Sequence, residues 1–293
     1  MIRKLCVPGL VFLLVTVLAG CGGGGQASES GDPETLRVGL VPNQNPEKVE
    51  AEYEPFGDYL SGKLGKKVEL SVPTSYNAVV EAMASDKLDL AYFGALTYVQ
   101  ARQRAEVSPL VTEINPYTHT TKYHSLIIVP ADSSIQRVED IKGKTFAFGS
   151  VSSTSGSLYP AIMLQEAGID YRTDLKEKTY TGGHDATAQA VANGRVDAGG
   201  IEDRILYNLE KDGTVDENKV RTVKESEPIE GYPWVVRDAL SDELKGDIVN
   251  AFLQIKDPTL LNLLRAEGYE RVRAEDYDYV EEKARELDLL TAQ

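Results

Sequence analysis

From Leu36 onward the chain alternates short apolar runs with stretches of helical periodicity, and that alternation commits it to an α/β architecture. Residues 36–41 read as a strand. Val49, Tyr53, Phe56, Leu60 and Leu64 then recur at helical spacing up to Gly65. Strands over 68–72, 88–93 and 109–113 follow, separated by helices over 76–85 and 96–105. A polar stretch, 115–122, breaks the rhythm, and a second series begins. Its strands cover 125–129, 145–148, 176–180 and 198–201, with helices over 157–167, 185–192 and 204–211. After a second irregular stretch, 227–231, an amphipathic helix runs through Leu244, Ile248, Phe252 and Ile255, with Ser241 as its N-cap. The acidic tail, 274–288, reads as a helix with a solvated face.

The two irregular stretches divide the chain into two lobes. One is expected over 35–115 together with 232–293, the other over 116–231. Each is expected to be a mainly parallel sheet with helices on both faces. A cleft between lobes joined by two short crossings can close on a small ligand.

The amino terminus stands apart. Arg3 and Lys4 precede an apolar run, 5–18, shorter than the roughly 20 residues a membrane helix needs. The run ends in Leu18-Ala19-Gly20-Cys21, the pattern of a lipoprotein signal peptide over 1–20, cut before Cys21. Lipid on the Cys21 thiol then holds the protein to the membrane, and residues 21–34, rich in Gly and Ser, form a flexible tether. Cleavage removes Cys6. With Cys21 acylated, no disulfide, catalytic cysteine or cysteine metal site is expected.

The full chain carries 46 acidic against 31 basic residues, a formal charge of −15, which becomes −17 once Arg3 and Lys4 leave. That balance excludes nucleic acid and anionic lipid surfaces as partners, since both need a basic footprint. By the same logic it leans against an anionic ligand.

The segment Phe148-Gly149-Ser150-Val151-Ser152-Ser153-Thr154-Ser155-Gly156 argues the other way. It lies between a strand and a helix. Capping that helix needs one hydroxyl, and four stand in a row. A helix start offers unpaired N–H groups, and adjacent hydroxyls add neutral donors, so the segment suits an oxyanion without any Lys or Arg. Gly143-Lys144-Thr145 is no phosphate loop, because Val138 stands where that motif requires Gly. No G-x-S-x-G elbow surrounds Ser150–Ser155. His119, His124 and His184 lack metal-ligand spacing, so no metal is expected. His184 follows a strand and Gly182-Gly183 and precedes a helix, a place open to a cleft residue or to a helix-capping one. Among the 15 tyrosines, Tyr76, Tyr92, Tyr98, Tyr123 and Tyr232 fall mostly at strand ends or loops. Tyr92 and Phe93 should point to opposite faces of one strand.

Over about 36–239 the chain resembles the phosphate/phosphite/phosphonate-binding solute-binding lipoproteins of ABC importers. The resemblance rests on Thr74-Ser75-Tyr76, Asp89-Leu90-Ala91-Tyr92-Phe93-Gly94, and Asp140-Ile141-Lys142-Gly143-Lys144-Thr145 leading to Ser152–Gly156. It continues through Gly183-His184-Asp185-Ala186, Gly194-Arg195-Val196-Asp197-Ala198 and Pro228-Ile229-Glu230-Gly231-Tyr232-Pro233-Trp234. It implies a two-lobed type II periplasmic-binding-protein-like fold and import of a phosphorus oxyanion (phosphonate, phosphite or phosphate), passed to a membrane permease. It casts Ser152, Ser153, Thr154 and Ser155 as the oxyanion cradle, Tyr76 and His184 as pocket residues, and Glu202, or Asp203 one position on, as the pocket acid. Phe93 replaces a second pocket tyrosine. Tyr232 replaces an aspartate that meets the ammonium of aminoalkylphosphonates, which favours a smaller or less cationic ligand. Similar serine-rich segments occur in selenate binders, so another oxyanion, or a sensing module on the same fold, is the alternative. A desolvated acid in the pocket would repel a dianion such as selenate and accept a hydrogen bond from a protonated phosphorus oxyanion. With no nucleophile–base pair and no metal ligands, a monomeric binding protein without a cofactor is expected, not an enzyme.

Overall fold

The computed structural model describes residues 31–291. The signal peptide, Cys6 and Cys21 lie outside the described residues, as does most of the tether. The first series folds as expected: β1 (Thr35–Leu40), α1 (Pro46–Leu64), β2 (Lys67–Ser71), α2 (Tyr76–Ala84), β3 (Leu90–Tyr92), α3 (Ala95–Ala101) and β4 (Val107–Ile114). Local chemistry sets the helix ends. The Asn45 side chain accepts from the Lys48 amide to start α1, and Gly65 ends it at φ 62°. Ser75 caps α2 through the Ala78 amide.

The chain then passes through β5 (Lys122–Tyr123) into β6 (Ser125–Pro130) and β7 (Thr145–Phe148). A π-helical turn (Thr154–Leu158) leads into α4 (Tyr159–Glu166), and β8 (Glu177–Tyr180), α5 (His184–Ala192), β9 (Ala198–Glu202), α6 (Asp203–Lys211) and β10 (Val220–Glu225) follow. It returns through β11 (Ile229–Glu230) and β12 (Pro233–Arg237), then continues as α7 (Asp242–Leu253), α8 (Pro258–Leu263), β13 (Gly268–Arg271) and α9 (Asp278–Glu286). Among the described residues no helix is long and apolar enough to cross a membrane.

Two sheets result, ordered β13-β4-β12-β3-β1-β2 and β10-β6-β9-β7-β8, and β5 pairs with β11 in a two-stranded ribbon. The expectation of mainly parallel sheets is corrected. Only β1 with β2 and β3, and β7 with β8 and β9, pair in parallel; β12 lies antiparallel between β3 and β4, and β6 antiparallel between β9 and β10. The cause is the double crossing. The strand that enters each lobe from the other is inserted against the direction of the βα units already there. Because β5 and β11 are hydrogen-bonded to each other, the two crossings form one ribbon.

Two further expectations are corrected. The tail is docked as well as solvated: Tyr277, Val280 and Ala284 are buried, Tyr277 donates to the Gly231 carbonyl at 3.0 Å, and Arg102 pairs with Asp278 and Glu281. The apolar stripe at helical spacing was hidden among the acids. The carboxy-terminal end of the expected tether is fixed too. The Asp32 carboxylate accepts from the Ser241 amide at 2.8 Å and hydroxyl at 2.6 Å, and Lys66 donates to the Pro33 carbonyl at 2.9 Å. Ser241 also caps α7, as expected, through the Leu244 amide.

Candidate functional site

The hydroxyl run leaves the C-terminal end of β7, where strand gives way to helix against α2 and α3. Its first turn is wound wide. The Leu158 amide donates to the Ser153 carbonyl and the Tyr159 amide to the Thr154 carbonyl, each five residues back. The turn is also tight against its surroundings. A Cβ on Gly156 would stand 2.8 Å from Ser153 Oγ, 3.1 Å from His184 Cε1 and 3.2 Å from Gly149 Cα, so this position requires glycine.

Within the run the four hydroxyls have separate tasks. Ser153 Oγ accepts from the Gly156 amide at 3.0 Å, which leaves its own proton free to be donated. Thr154 Oγ1 accepts from the Leu96 amide at 2.9 Å, reaching the start of α3 in the other lobe. Ser152 donates to Asn77 on α2, and its carbonyl accepts from Thr97 Oγ1 at 3.0 Å. Ser155 Oγ is buried with no hydrogen-bond partner among the described residues. Ser152 and Thr154 therefore latch one lobe to the other, while Ser153, Thr154 and Ser155 each keep a donor.

Of the seven other buried polar atoms that, like Ser155 Oγ, are in that condition among the described residues, three belong to residues around the run: Tyr76 Oη, Tyr123 Oη and His184 Nε2. Tyr76 opens α2, Tyr123 lies in the crossing ribbon, and His184 opens α5. The Glu202 amide donates to His184 Nδ1 at 3.3 Å, so in the neutral ring the proton sits on Nε2. Burial lowers the His184 pKa from its ordinary 6.5, against the pull of Glu202 and Asp185, and holds the ring neutral. Burial, reinforced by Glu202, pushes the Tyr76 and Tyr123 phenols well above their ordinary range. All four groups are hydrogen-bond donors at neutral pH. An unpartnered buried polar group costs about 1–3 kcal/mol, and four in one place mark a site built for an acceptor.

Behind them sits an ion-pair network that the sequence did not announce. Glu202 ends β9, 2% exposed; its Oε1 accepts from Arg204 Nε and Nη2, both at 2.7 Å, and its Oε2 accepts from Tyr232 Oη at 2.7 Å. Arg204 Nη1 continues to Glu113 Oε1 on β4 at 2.8 Å, and Tyr92 Oη donates to the same oxygen at 3.0 Å. The guanidinium lies 4.9 Å from the Tyr123 ring and 5.7 Å from the Tyr232 ring. Glu202 is thus no bare carboxylate: Arg204 and Tyr232 together place three hydrogen bonds on it, and Arg204 is shared with a second carboxylate, Glu113.

Asp203, the alternative acid, is not brought in. It begins α6, and its carboxylate turns to His124 Nδ1 at 3.3 Å and to the Arg204 amide at 2.7 Å. Adjacent residues across a strand end cannot share a face. Phe93 is fully buried in the core and adds no polar group, while its strand neighbour Tyr92 is also buried, at 8% exposure, beside Glu113. Beyond the expected residues the site recruits Tyr123, Arg204, Glu113, Asn77 and the Leu96 amide. Gly94 allows the approach, since a Cβ there would lie 3.1 Å from Thr154 Oγ1 and 3.8 Å from Tyr232 Cε2. Two signals pointed that way: a hydroxyl-bearing aromatic at the crossing, and a lone arginine directly after two acids at a strand end. Among the described residues no group of three or more His, Cys, Asp or Glu side chains could hold a metal ion.

Comparison with known proteins bears on the family. The family model described as "ABC transporter, phosphonate, periplasmic substrate-binding protein" matches residues 38–277. The phosphate-import protein PhnD of Mycolicibacterium smegmatis is 32% identical over 253 residues, covering 83% of this chain and 79% of that protein. The phosphonates-binding periplasmic protein of Escherichia coli K12 is 29% identical over 249 residues, covering 82% and 72%. In structure, PhnD1 from Prochlorococcus marinus MIT 9301 in complex with methylphosphonate matches with a TM-score of 0.80 at 26% identity, covering 88% of this chain and 100% of that one.

Proposed function

The chain belongs to the periplasmic substrate-binding proteins of phosphonate ABC transporters, and we propose that its ligand is a small tetrahedral phosphorus oxyanion held between the lobes by Ser153, Ser155, His184, Tyr76 and Tyr123. One observation carries this reading: Tyr76 Oη, Tyr123 Oη, Ser155 Oγ and His184 Nε2 are buried polar groups that complete no well-formed hydrogen bond among the described residues, with Tyr76 lying against Ser153 and Tyr232 and Tyr123 against Thr154 and Ser155. Together with the first-turn amides of the π-helical segment, they surround an anion with neutral dipoles. Such donors hold an oxyanion strongly where water is excluded. The relatives named as binding or importing phosphate and phosphonates, and the match to a methylphosphonate complex, support the same class.

On this reading residues 35–115 with 232–293 and residues 116–231 act as lobes that close about the β5–β11 ribbon. Thr154 on Leu96 and Ser152 on Asn77 are the closing latches. The closed, monomeric protein delivers its ligand to the permease and performs no chemistry on it. Cys21 carries the lipid that tethers the mature chain to the membrane. Isothermal titration with phosphate, phosphite, methylphosphonate, 2-aminoethylphosphonate and selenate tests the reading. Binding of at least one small phosphorus oxyanion, more tightly than 2-aminoethylphosphonate, is expected. Tight selenate binding with none of the phosphorus oxyanions overturns it.

A further inference from the structure

The hydrogen-bond directions around Tyr232 carry a consequence for ligand protonation. Its hydroxyl donates to Glu202 Oε2 at 2.7 Å, and that carboxylate is held by two N–H groups of Arg204, itself braced by Glu113 from the other lobe. An ion-paired carboxylate only accepts, so the Tyr232 proton points away from the cleft and its oxygen offers a lone pair instead. The ring edge of Tyr232 stands beside the cradle at Gly94, on the same side as Thr154, and its ring centroid lies 5.4 Å from that of Tyr123. The Tyr76 hydroxyl stands within hydrogen-bonding reach of the Tyr232 oxygen, so this acceptor lies beside a donor of the cradle.

We infer that Tyr232, oriented through Glu202 by Arg204, selects oxyanions that carry a hydroxyl proton over fully deprotonated ones. Tyr232 is a specificity residue that touches the ligand, and Arg204 a positioning residue acting through Glu202. The favoured ligands are monohydrogen phosphate, hydrogen phosphite and the methylphosphonate monoanion. Sulfate and selenate, and the phosphite and methylphosphonate dianions, leave the Tyr232 lone pair without a proton. This rests on the phosphorus-oxyanion reading above.

The groups facing Tyr232 are Glu202, Arg204, Tyr76, Tyr92 and Tyr123. Burial pushes all the phenols up, Tyr232 included, and lowers His184. Between about pH 7 and pH 9 those phenols stay protonated and His184 neutral, so changes in affinity there report on the ligand. Isothermal titration across that window is the test. Phosphate keeps a hydroxyl throughout, and its affinity is expected to stay flat. Phosphite loses its last hydroxyl and is expected to weaken by about tenfold per pH unit. Sulfate is expected to bind at least about tenfold more weakly than phosphate. The double variant Tyr232→Phe/Glu202→Gln, which leaves no bare carboxylate behind the cradle, should bring sulfate and phosphate together and flatten the phosphite profile. The wild-type profiles need no variant. Phosphite binding that is flat with pH while phosphate binds, or sulfate binding equal to phosphate, overturns the inference alone. Absence of binding by every phosphorus oxyanion overturns both this inference and the reading on which it rests.

Discussion

On the proposed reading Ser155 and His184 offer donors to one ligand from different elements, and their removal should be felt directly. Ser155→Ala and His184→Ala are each expected to weaken oxyanion binding by about 1–3 kcal/mol, measured by titration calorimetry, because each leaves a buried acceptor on the ligand unmatched. Ser155→Ala should melt close to the parent, since its hydroxyl completes no hydrogen bond among the described residues, whereas His184→Ala, which removes a buried ring and the acceptor of the Glu202 amide, should melt lower. At this scale the hydroxyl run, Tyr76, His184, Glu202 and Tyr232 were legible, the run from its excess over capping and the others from the resemblance. Direction was not. Which way Glu202, Asp203 and Tyr232 turn depends on Arg204, a contact made through the fold. An isolated arginine next to two acids has no periodicity to read.

Among the elements, β1, β3 and β12 are held in register by one buried carboxylate. Asp89 accepts from Arg37 Nε and Nη2 at 2.8 and 2.7 Å and from Arg237 Nη2 at 2.6 Å, with its own side chain fully buried. Burial alone would raise its pKa. The Arg37 and Arg237 hydrogen bonds outweigh it and hold the carboxyl below the usual range. A depressed carboxyl stabilises the fold above its unfolded-state pKa, and that stabilisation is lost as pH falls toward the folded-state value. Asp89→Ala is expected to cost about 2–4 kcal/mol at neutral pH by chemical denaturation, less than a wholly buried pair because Arg37 is 37% exposed. The difference between variant and parent should shrink in acid. Most helices and the βα strands were legible from periodicity, with ends set by Asn45, Ser75 and Ser241. The crossing strands β5 and β11 are two residues each, too short for any period to register, and the insertion of β12 between β3 and β4 is a tertiary event.

The whole molecule sets a field against its own site. A formal charge of −15 on the chain repels anions at a distance, yet the proposed cradle is made of amides, hydroxyls and a neutral imidazole. The two act over different ranges. Mobile ions screen the global field within about 8 Å at physiological ionic strength, while oriented dipoles act at contact inside a closed cleft. Net charge was therefore a poor guide to a buried pocket. The same separation gives Arg204 its place: the one guanidinium in the site is spent on Glu202 and Glu113, joining the lobes behind the cradle and not charging it. A crystal structure of the protein with phosphate or phosphite tests this account most directly. It should show the anion between the lobes, its oxygens about 2.6–3.2 Å from Ser155 Oγ, His184 Nε2, Tyr76 Oη and Tyr123 Oη. An anion bound elsewhere, or those four groups paired with one another while the anion is bound, would contradict it.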